Sequence, residues 1–253
     1  MRAGLYLAAR YVSRYYLLSF SFSLLSPFIS AVFLAAGWAV TGGVDLDKFL
    51  YQTVGLSLFM LAQVATSSVV WDLYSLMSGG QLEYLAASPA RPLSVLMAFY
   101  LVQLAVFGLG FVSASAVVAA VVKGVEYGVF TLVAGLVAAA TSLPLVGMSL
   151  AFSYLLPLVR TPSPLTNVLN PTIAMFGGML YPVEILPRAF RLLADLLPFR
   201  VWTELAMSVA SGIYIPMALW GRLAGYLFYF ALGAVLWSLL MTRFKKTGLY
   251  HVW

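Results

Sequence analysis

Long runs of apolar residues recur along the 253-residue chain, and each is about as long as a helix that crosses a membrane. About 20 mostly apolar residues cross the hydrocarbon core of a bilayer as an α-helix. The strands of an outer-membrane barrel would instead alternate between apolar and polar residues over roughly ten positions. The runs here are continuous and nearly free of charge. They predict an all-α membrane protein with six transmembrane helices, at about 17–41, 50–77, 93–122, 128–158, 164–182 and 219–242.

Residues 2–14 show a different pattern before the first predicted span. At helical spacing, Arg2, Arg10 and Arg14 fall on one side, and most other positions are aromatic or aliphatic. A basic stripe opposite an apolar face is typical of a helix that lies in the membrane interface. We therefore predict an N-terminal amphipathic interface helix. The alternative is that these residues extend the first span into the cytoplasm.

The segment 184–216, before the last predicted span, is interrupted several times. Pro187 and Pro198 bracket an amphipathic stretch, and proline commonly stands at the start of a helix or just after its end. The uncharged stretch that follows is short and contains Gly212 and Pro216. A short, broken apolar stretch is typical of a re-entrant or extracellular helical segment packed against protein. The alternative is a seventh span within 198–221, which would place the C-terminus outside.

The composition agrees with a lipid environment. Apolar residues make up 63% of the chain and charged residues 9%, whereas a soluble domain carries roughly 25% charged residues. The chain has no cysteine and a single histidine, His251. These counts exclude disulfides, iron–sulfur clusters and thiolate zinc sites. The net charge of +6 lies on no basic run of a soluble element, so we expect contact with membrane lipids and not with nucleic acid.

Lysine and arginine in short loops predict the orientation, because cytoplasmic loops carry an excess of both. Without the long 184–222 connection, only Lys48 and Lys123 fall on the side opposite to the N-terminus. The N-terminal side carries Arg2, Arg10, Arg14, Arg91, Arg160, Arg243, Lys245 and Lys246. We predict a multi-pass protein of the cell membrane with both termini in the cytoplasm.

The usual catalytic motifs are absent from the chain. It contains no GxxxxGK[ST] phosphate-binding loop and no HExxH motif. An intramembrane serine protease would need a histidine near its serine, and His251 lies in the C-terminal tail. The carboxylates closest to the spans, Asp72 and Glu204, fall near predicted span ends. We expect no catalytic residue, bound cofactor or metal in this chain.

The turn between the second and third predicted spans is longer than a simple reversal requires. It reads SGGQLEYLAASPARP from Ser78 to Pro92. Two glycines end the preceding helix, and a short helix then presents Leu82 and Leu85 on one side and Glu83 on another. Ser88-Pro89 ends that helix. The alternative reading is an ordinary surface turn at the lipid headgroups.

This turn resembles that of the membrane permeases of type-2 ABC transporters. The resemblance rests on Gly80, the Leu82-Glu83-Tyr84-Leu85 run, Ser88-Pro89 and Arg91. A second likeness lies near the fifth predicted span, where the family shows glycine, an aromatic-proline pair and two leucine-proline pairs. This chain has Gly177-Gly178, Tyr181-Pro182, Leu186-Pro187 and Leu197-Pro198 at these places. Together with six spans and an interface helix, the likeness covers nearly the whole chain.

The resemblance implies the permease subunit of an ABC exporter. Two permease copies, or one copy and a close relative, would pair, and separate ATPase subunits would bind ATP-Mg on the cytoplasmic side. Residues 80–91 would form a coupling helix that docks on the ATPase, and Arg10 and Arg14 would add a second contact. The coupling residues would be Gln81, Leu82, Glu83, Tyr84, Leu85, Ser88, Pro89 and Arg91.

The resemblance also implies that the first, second and fifth spans line the translocation route and the dimer seam. Candidates there are Phe20, Phe22, Phe28, Phe59, Met60, Gln63, Thr66, Asn167, Asn170 and Met175. Such a route would be largely apolar with scattered amides and hydroxyls. It suits an amphiphilic, lipid-linked or hydrophobic substrate better than a small ion.

Two other functions remain open from the sequence. The chain could be a secondary carrier or channel driven by an ion gradient, which would move substrate without nucleotide. It could also be a membrane scaffold that transports nothing. Export rather than import, and the identity of the substrate, do not follow from the residues.

Overall fold

The computed structural model describes residues 21, 24–26, 28–33, 35–36, 45–87, 91–212 and 217–247. The predicted interface helix 2–14 and much of the first predicted span lie outside these residues. Within the described part, every regular element is helical, which confirms the predicted all-α class. Residues 24–26 and 28–33 are helical in the region of the first predicted span.

Eleven helices can be followed from residue 45 onwards in the described ranges. They are α1 Leu46–Ser78, α2 Gln81–Ala87, α3 Pro92–Lys123, α4 Val125–Ala140, α5 Leu143–Ser153, α6 Leu156–Val159, α7 Ser163–Phe176, α8 Arg188–Leu196, α9 Pro198–Ala210, α10 Met217–Gly225 and α11 Leu227–Thr247. Helix α3 contains one π-helical turn at Leu104–Gly108, and a 3₁₀ turn, Val183–Ile185, precedes α8.

Three of the described helices are long and apolar enough to cross a membrane: Leu46–Ser78, Pro92–Lys123 and the continuous stretch Met217–Lys246. A fourth crossing exists if α4 and α5, which meet at a bend of 43°, form one broken span. The bend has a local cause, since Pro144 at the start of α5 cannot continue the hydrogen bonding of α4. These helices indicate a multi-pass membrane protein.

The predicted count of six spans is not confirmed. In the tract 164–182, helix α7 has 14 residues, which corresponds to about 21 Å at the rise of an α-helix. The hydrocarbon core of a bilayer is about 30 Å thick. Helix α7 ends at Phe176 with Gly177 as its C-cap, and the following Gly178 has a φ of 69° that an ordinary helix cannot contain.

Helix α1 is the centre of the fold. It packs against α3, α5, α7 and α9, and Leu61, Ala62 and Ala65 in its middle are completely buried. A helix that is apolar on all sides is stable only when its neighbours or lipid surround it. At its start, the Asp45 carboxylate accepts hydrogen bonds from the backbone of Asp47 and Lys48 and caps the helix.

The tightest helix crossing joins α5 and α11, because glycine stands on both sides. A Cβ atom on Gly147 would lie 2.4 Å from the backbone of Phe230. A Cβ atom on Gly233 would lie 2.2 Å from the carbonyl oxygen of Gly147. Small residues let helix backbones approach closely in membranes, where packing replaces the hydrophobic driving force.

Two hydrogen bonds of polar side chains join helices inside the bundle. The indole of Trp202 in α9 donates to the carbonyl of Ala138 in α4 at 2.9 Å. The hydroxyls of Tyr100 and Ser142 lie 2.5 Å apart. Lipid offers no hydrogen-bonding partner, so polar groups within the bundle must find partners in the protein. The first bond holds α9 against α4, and the second joins α3 to the link between α4 and α5.

The two ends of the bundle are built from different elements. The turn end carries the C-terminus of α1 and helix α2. The cap end carries the N-terminus of α1 together with α8 and α9. Tyr226 and Tyr229 donate to the backbone carbonyls of Asp195 and Leu196. These bonds tie the C-terminus of α8 to the last long helix.

Candidate functional site

A glycine turn reverses the chain after α1 at the turn end. The N–H of Gly79 donates to Ser75 at 3.0 Å, and the N–H of Gly80 donates to Met77 at 3.1 Å. Gly80 has a φ of 65°, in the left-handed region that glycine enters without steric cost. The two glycines thereby end α1 and start α2 within two residues.

Helix α2 has one buried side and one exposed side. Leu82 is completely buried and belongs to the main core, and Leu85 packs against that core while partly exposed. Gln81, Glu83 and Tyr84 are exposed, and 80% of Tyr84 is accessible. Helix α2 contacts both α1 and α3.

Three other predicted coupling residues lie beyond α2. Ser88 and Pro89 are outside the described residues. Arg91 is exposed and stands immediately before α3, where its carbonyl accepts hydrogen bonds from both the backbone and the hydroxyl of Ser94, at 2.9 and 2.7 Å. Arg10 and Arg14, proposed as a second contact, are outside the described residues.

The route candidates on α1 lie in different environments. Phe59, Met60 and Gln63 are half-buried. Thr66 is completely buried, and its hydroxyl donates to the carbonyl of Ala62 at 2.9 Å. In the single protomer, Thr66 therefore packs inside the core and reaches no open surface. Phe28 is exposed at 37%, while Phe20 and Phe22 are outside the described residues.

Helix α7, which packs against α1, carries the remaining route candidates. Asn167 is exposed, and Met175 is half-buried with its carbonyl accepting a bond from Tyr181 at 3.1 Å. The side-chain oxygen of Asn170 is buried and accepts no hydrogen bond within the protomer. A buried amide oxygen without a donor is costly.

A hydrogen-bonded pair of one carboxylate and one amide, which the sequence did not predict, lies between α1 and α3. The amide of Gln103 donates to both oxygens of Asp72 at 3.0 Å. Gln103 directly precedes the π-helical turn at Leu104–Gly108. Such turns are frequent at functional sites, and ionisable residues within membrane helices usually have a function.

The cap end contains a cavity of about 440 Å³ that sequence reasoning also missed. It opens between the first turns of α1, the Gly177-Gly178 turn and helix α9. Its lining includes Tyr51, Lys123, Tyr127, Glu184, Arg200 and Glu204. Helix α1 has 33 residues and is therefore about 50 Å long, so the cavity and α2 stand at opposite ends of one helix.

Arg200 holds a network of charges beside this cavity. Its guanidinium contacts Glu204 at 2.7 Å, Asp195 at 2.8 Å and Glu184 at 2.9 Å. Arg222 reaches Glu204 at 3.5 Å and Asp195 at 3.7 Å. Burial opposes the charged guanidinium, but the hydrogen bond and charge of Glu204, with the other two carboxylates, raise the pKa of Arg200. The network joins the turn before α8 to α8, α9 and α10.

A second ion pair stands on the other side of the cavity. The Lys123 ammonium lies 2.6 Å from Asp47 and 4.4 Å from the ring centre of Tyr127. The only local sequence signal for these clusters was the spacing of Arg200 and Glu204, which places both on one helix face. Asp195 lies five positions before Arg200 on the preceding helix, Glu184 lies 16 positions before it, and Asp47 lies 76 positions from Lys123.

Comparison with known proteins gives one family. The family described as ABC-2 type transporter matches residues 5–211. This match confirms the resemblance that the turn and the glycine- and proline-rich motifs indicated. No curated protein matches the chain.

Proposed function

Since the chain belongs to the ABC-2 type transporter family, we propose that it is the membrane-spanning permease subunit of an ABC exporter driven by a separate ATPase subunit. Permeases of this family are membrane components of transport, generally without catalytic activity, and generally work with an ABC ATPase. ATP-Mg would bind to that partner and not to this chain. A second permease copy or a close relative would complete the transporter in the cell membrane.

The observation that carries this proposal is that helix α2 has one side buried in the core and one side exposed. Leu82 is buried in the core while Glu83 and Tyr84 are presented outward. A segment fixed on one side and exposed on the other can transmit the movement of a docked partner to the spans. In conformational switches, the movement of a packed segment couples distant sites. We assign the docking surface to Gln81, Glu83 and Tyr84, with Leu82 as its anchor.

The proposed substrate is amphiphilic, lipid-linked or hydrophobic. The candidate positions on α1 and α7 combine Phe59 and Met175 with the amides of Gln63, Asn167 and Asn170. A small ion would need a dense shell of oxygen ligands, whereas an apolar chain with a polar head needs only scattered polar contacts. The exposed side chain of Asn167 supports the assignment of α7 to the route or to the seam with the second permease.

The test reverses one charge on the exposed side of α2. We expect Glu83→Arg to reduce transport-coupled ATP hydrolysis in the reconstituted complex about tenfold or more, because a reversed charge at a docked surface repels its former partner. The matched control is Glu126→Arg, which reverses an exposed carboxylate in the first turn of α4 at the cap end. Both variants are expected to purify and unfold like the wild type.

Two results would contradict the proposal. One is normal coupling in Glu83→Arg, with no crosslink from position 83 or 84 to an ATPase in native membranes. The other is substrate flux into liposomes from this chain alone, without nucleotide, which would identify a carrier or channel driven by an ion gradient.

A further inference from the structure

The cavity at the cap end combines buried apolar walls with charged groups at its open side. Leu50, Val54 and Val183 line it and are almost completely buried. The side chains of Asp47 and Glu184 also line it and are 79% and 63% exposed. Pockets for small ligands typically measure 300–1,000 Å³ and are mostly apolar with a few placed polar groups. The cavity of about 440 Å³ therefore suits a molecule that is apolar at one end and charged at the other.

The two sides of this cavity differ in net charge. On one side, Arg200 faces the carboxylates of Glu184 and Glu204, so the negative groups of the lining outnumber the positive one. On the other side, the Lys123 ammonium has a single carboxylate partner, Asp47, at 2.6 Å. A polar group entering the cavity thus meets surplus negative charge near α9 and a cation at the end of α3.

Every charge named here already has a partner in the protein, and this limits what can enter. A purely cationic ligand would bind the surplus carboxylates but gain no contact with Lys123. A purely anionic ligand would draw Lys123 or Arg200 away from carboxylates that already bind it, and the cost is greatest at Arg200, whose side chain is only 19% exposed. A ligand carrying both signs can place its cation on the surplus carboxylates and its anion on Lys123, and the displaced Asp47 carboxylate, which is 79% exposed, returns to water. No described group of three or more acidic or histidine side chains could hold a metal ion, so a metal does not explain the cluster.

We propose that this cavity binds an amphiphile with a zwitterionic head that contains a phosphate and an amine. The phosphate lies beside Lys123, the amine lies beside Glu184 and Glu204, and the apolar chain runs along Leu50 and Val54. This site lies within a single protomer, and its lining includes none of the route candidates on α1 and α7. It goes beyond the proposed transport function, because binding requires neither the ATPase nor a second permease.

The test measures binding to the purified permease by native mass spectrometry. Three probes with the same oleoyl chain differ in their heads: lysophosphatidylethanolamine is zwitterionic, lysophosphatidylglycerol is anionic, and oleylamine is cationic. We expect the zwitterionic probe to bind about tenfold more tightly than either of the others, the factor that one charged hydrogen bond contributes. Equal binding of the three probes would overturn the proposal.

A charge-neutral pair of substitutions tests the location. The double variant Asp47→Asn with Lys123→Gln removes the phosphate contact, and we expect about tenfold weaker binding of the zwitterionic probe. The matched control is Asp45→Asn with Lys48→Gln, which removes a neighbouring ion pair of 3.0 Å that does not line the cavity. Asparagine is also a good helix cap, so α1 keeps its start. Unchanged binding in the first double variant would overturn the site.

If the Asp47→Asn, Lys123→Gln double variant does not fold, crosslinking of a photoactivatable lysophosphatidylethanolamine to the wild-type protein still tests the site. On the wild-type protein we expect crosslinks within 47–54, 123–127, 177–184 or 200–211, the four segments that line the cavity. Crosslinks confined to segments outside this lining would contradict the site. ATP hydrolysis by the complete transporter separates the two sources of such a ligand. Binding with stimulation of hydrolysis identifies transported cargo, and binding without stimulation identifies a resident membrane lipid. Either result supports the cavity as the site.

Discussion

Gln103 shows how a single residue can make a charge tolerable between two membrane helices. Its amide donates to both oxygens of Asp72 at 3.0 Å, between α1 and α3. A carboxylate in a membrane helix is costly unless it is paired or faces water. Burying a polar group without its partner costs more than replacing both partners with apolar residues. Removing either member alone should therefore destabilise the packing of α1 on α3 more than removing both.

We predict an asymmetric result when this pair is removed stepwise. Gln103→Leu should lower the free energy of unfolding by about 1–3 kcal/mol, because Asp72 loses its donor. The double variant Asp72→Leu with Gln103→Leu should recover part of that loss, because no polar group then lacks a partner. Denaturant titration of the purified protein in detergent measures both values. A double variant less stable than Gln103→Leu would contradict this account.

Helix ends and helix crossings in this protein depend on glycine and proline. Gly79 and Gly80 end α1, Pro144 starts α5 at the bend, and Gly178 follows the end of α7. These breaks create the short elements from which both functional ends are built. Helix α2 is one of them, and the turn at Gly177-Gly178 forms part of the cavity. The long helices thus supply the frame, and the breaks supply the surfaces.

The crossing of α5 and α11 provides a test at the level of elements. Gly147→Ala should lower the stability by about 1–3 kcal/mol, because the added methyl group meets backbone atoms of α11 that cannot move aside alone. The matched control is Gly221→Ala in α10, where a Cβ atom meets nothing within 4 Å. That variant should be neutral or slightly more stable, since alanine favours helix more than glycine does. Thermal unfolding in detergent compares them, and equal melting temperatures would refute the close crossing.

At the scale of the whole molecule, helix α1 connects two ends with different properties. The turn end presents the exposed side of α2, anchored by Leu82. The cap end presents the cavity and the ion network of Arg200. Because α1 is about 50 Å long and the hydrocarbon core is about 30 Å thick, these ends must face opposite sides of a membrane that α1 crosses. A permease needs such a separation, with its energy source on one side and its exit on the other.

The absence of cysteine allows a direct test of this arrangement. We predict that a membrane-impermeant maleimide labels Glu126→Cys in intact cells, because Glu126 is exposed at the cap end. Tyr84→Cys should be labelled only after the membrane is opened, because we place α2 in the cytoplasm. The unsubstituted chain is the blank for both. Labelling of the two positions from the same side would exclude a membrane crossing by α1.

The sequence by itself determined the class of structure and the family. In lipid, each backbone N–H and C=O must be bonded within its own segment or barrel, so long apolar runs leave only helices. The start of α2 also followed from local chemistry, since Gly79 and Gly80 end one helix directly before the next begins. The ABC-2 type transporter match over residues 5–211 agrees with these local motifs. Such features can be predicted from the sequence because the residues that produce them lie close together along the chain.

Only the tertiary structure decided which distant residues meet. Asp47 and Lys123 are 76 positions apart, Asp72 and Gln103 are 31 apart, and no spacing rule pairs them. The length of α7 also escaped prediction, because an apolar tract does not reveal where a glycine takes a positive φ. The cavity at the cap end has the same origin, since its walls come from four separate segments. Contacts between remote segments depend on how whole helices pack, and that information is distributed over the entire chain.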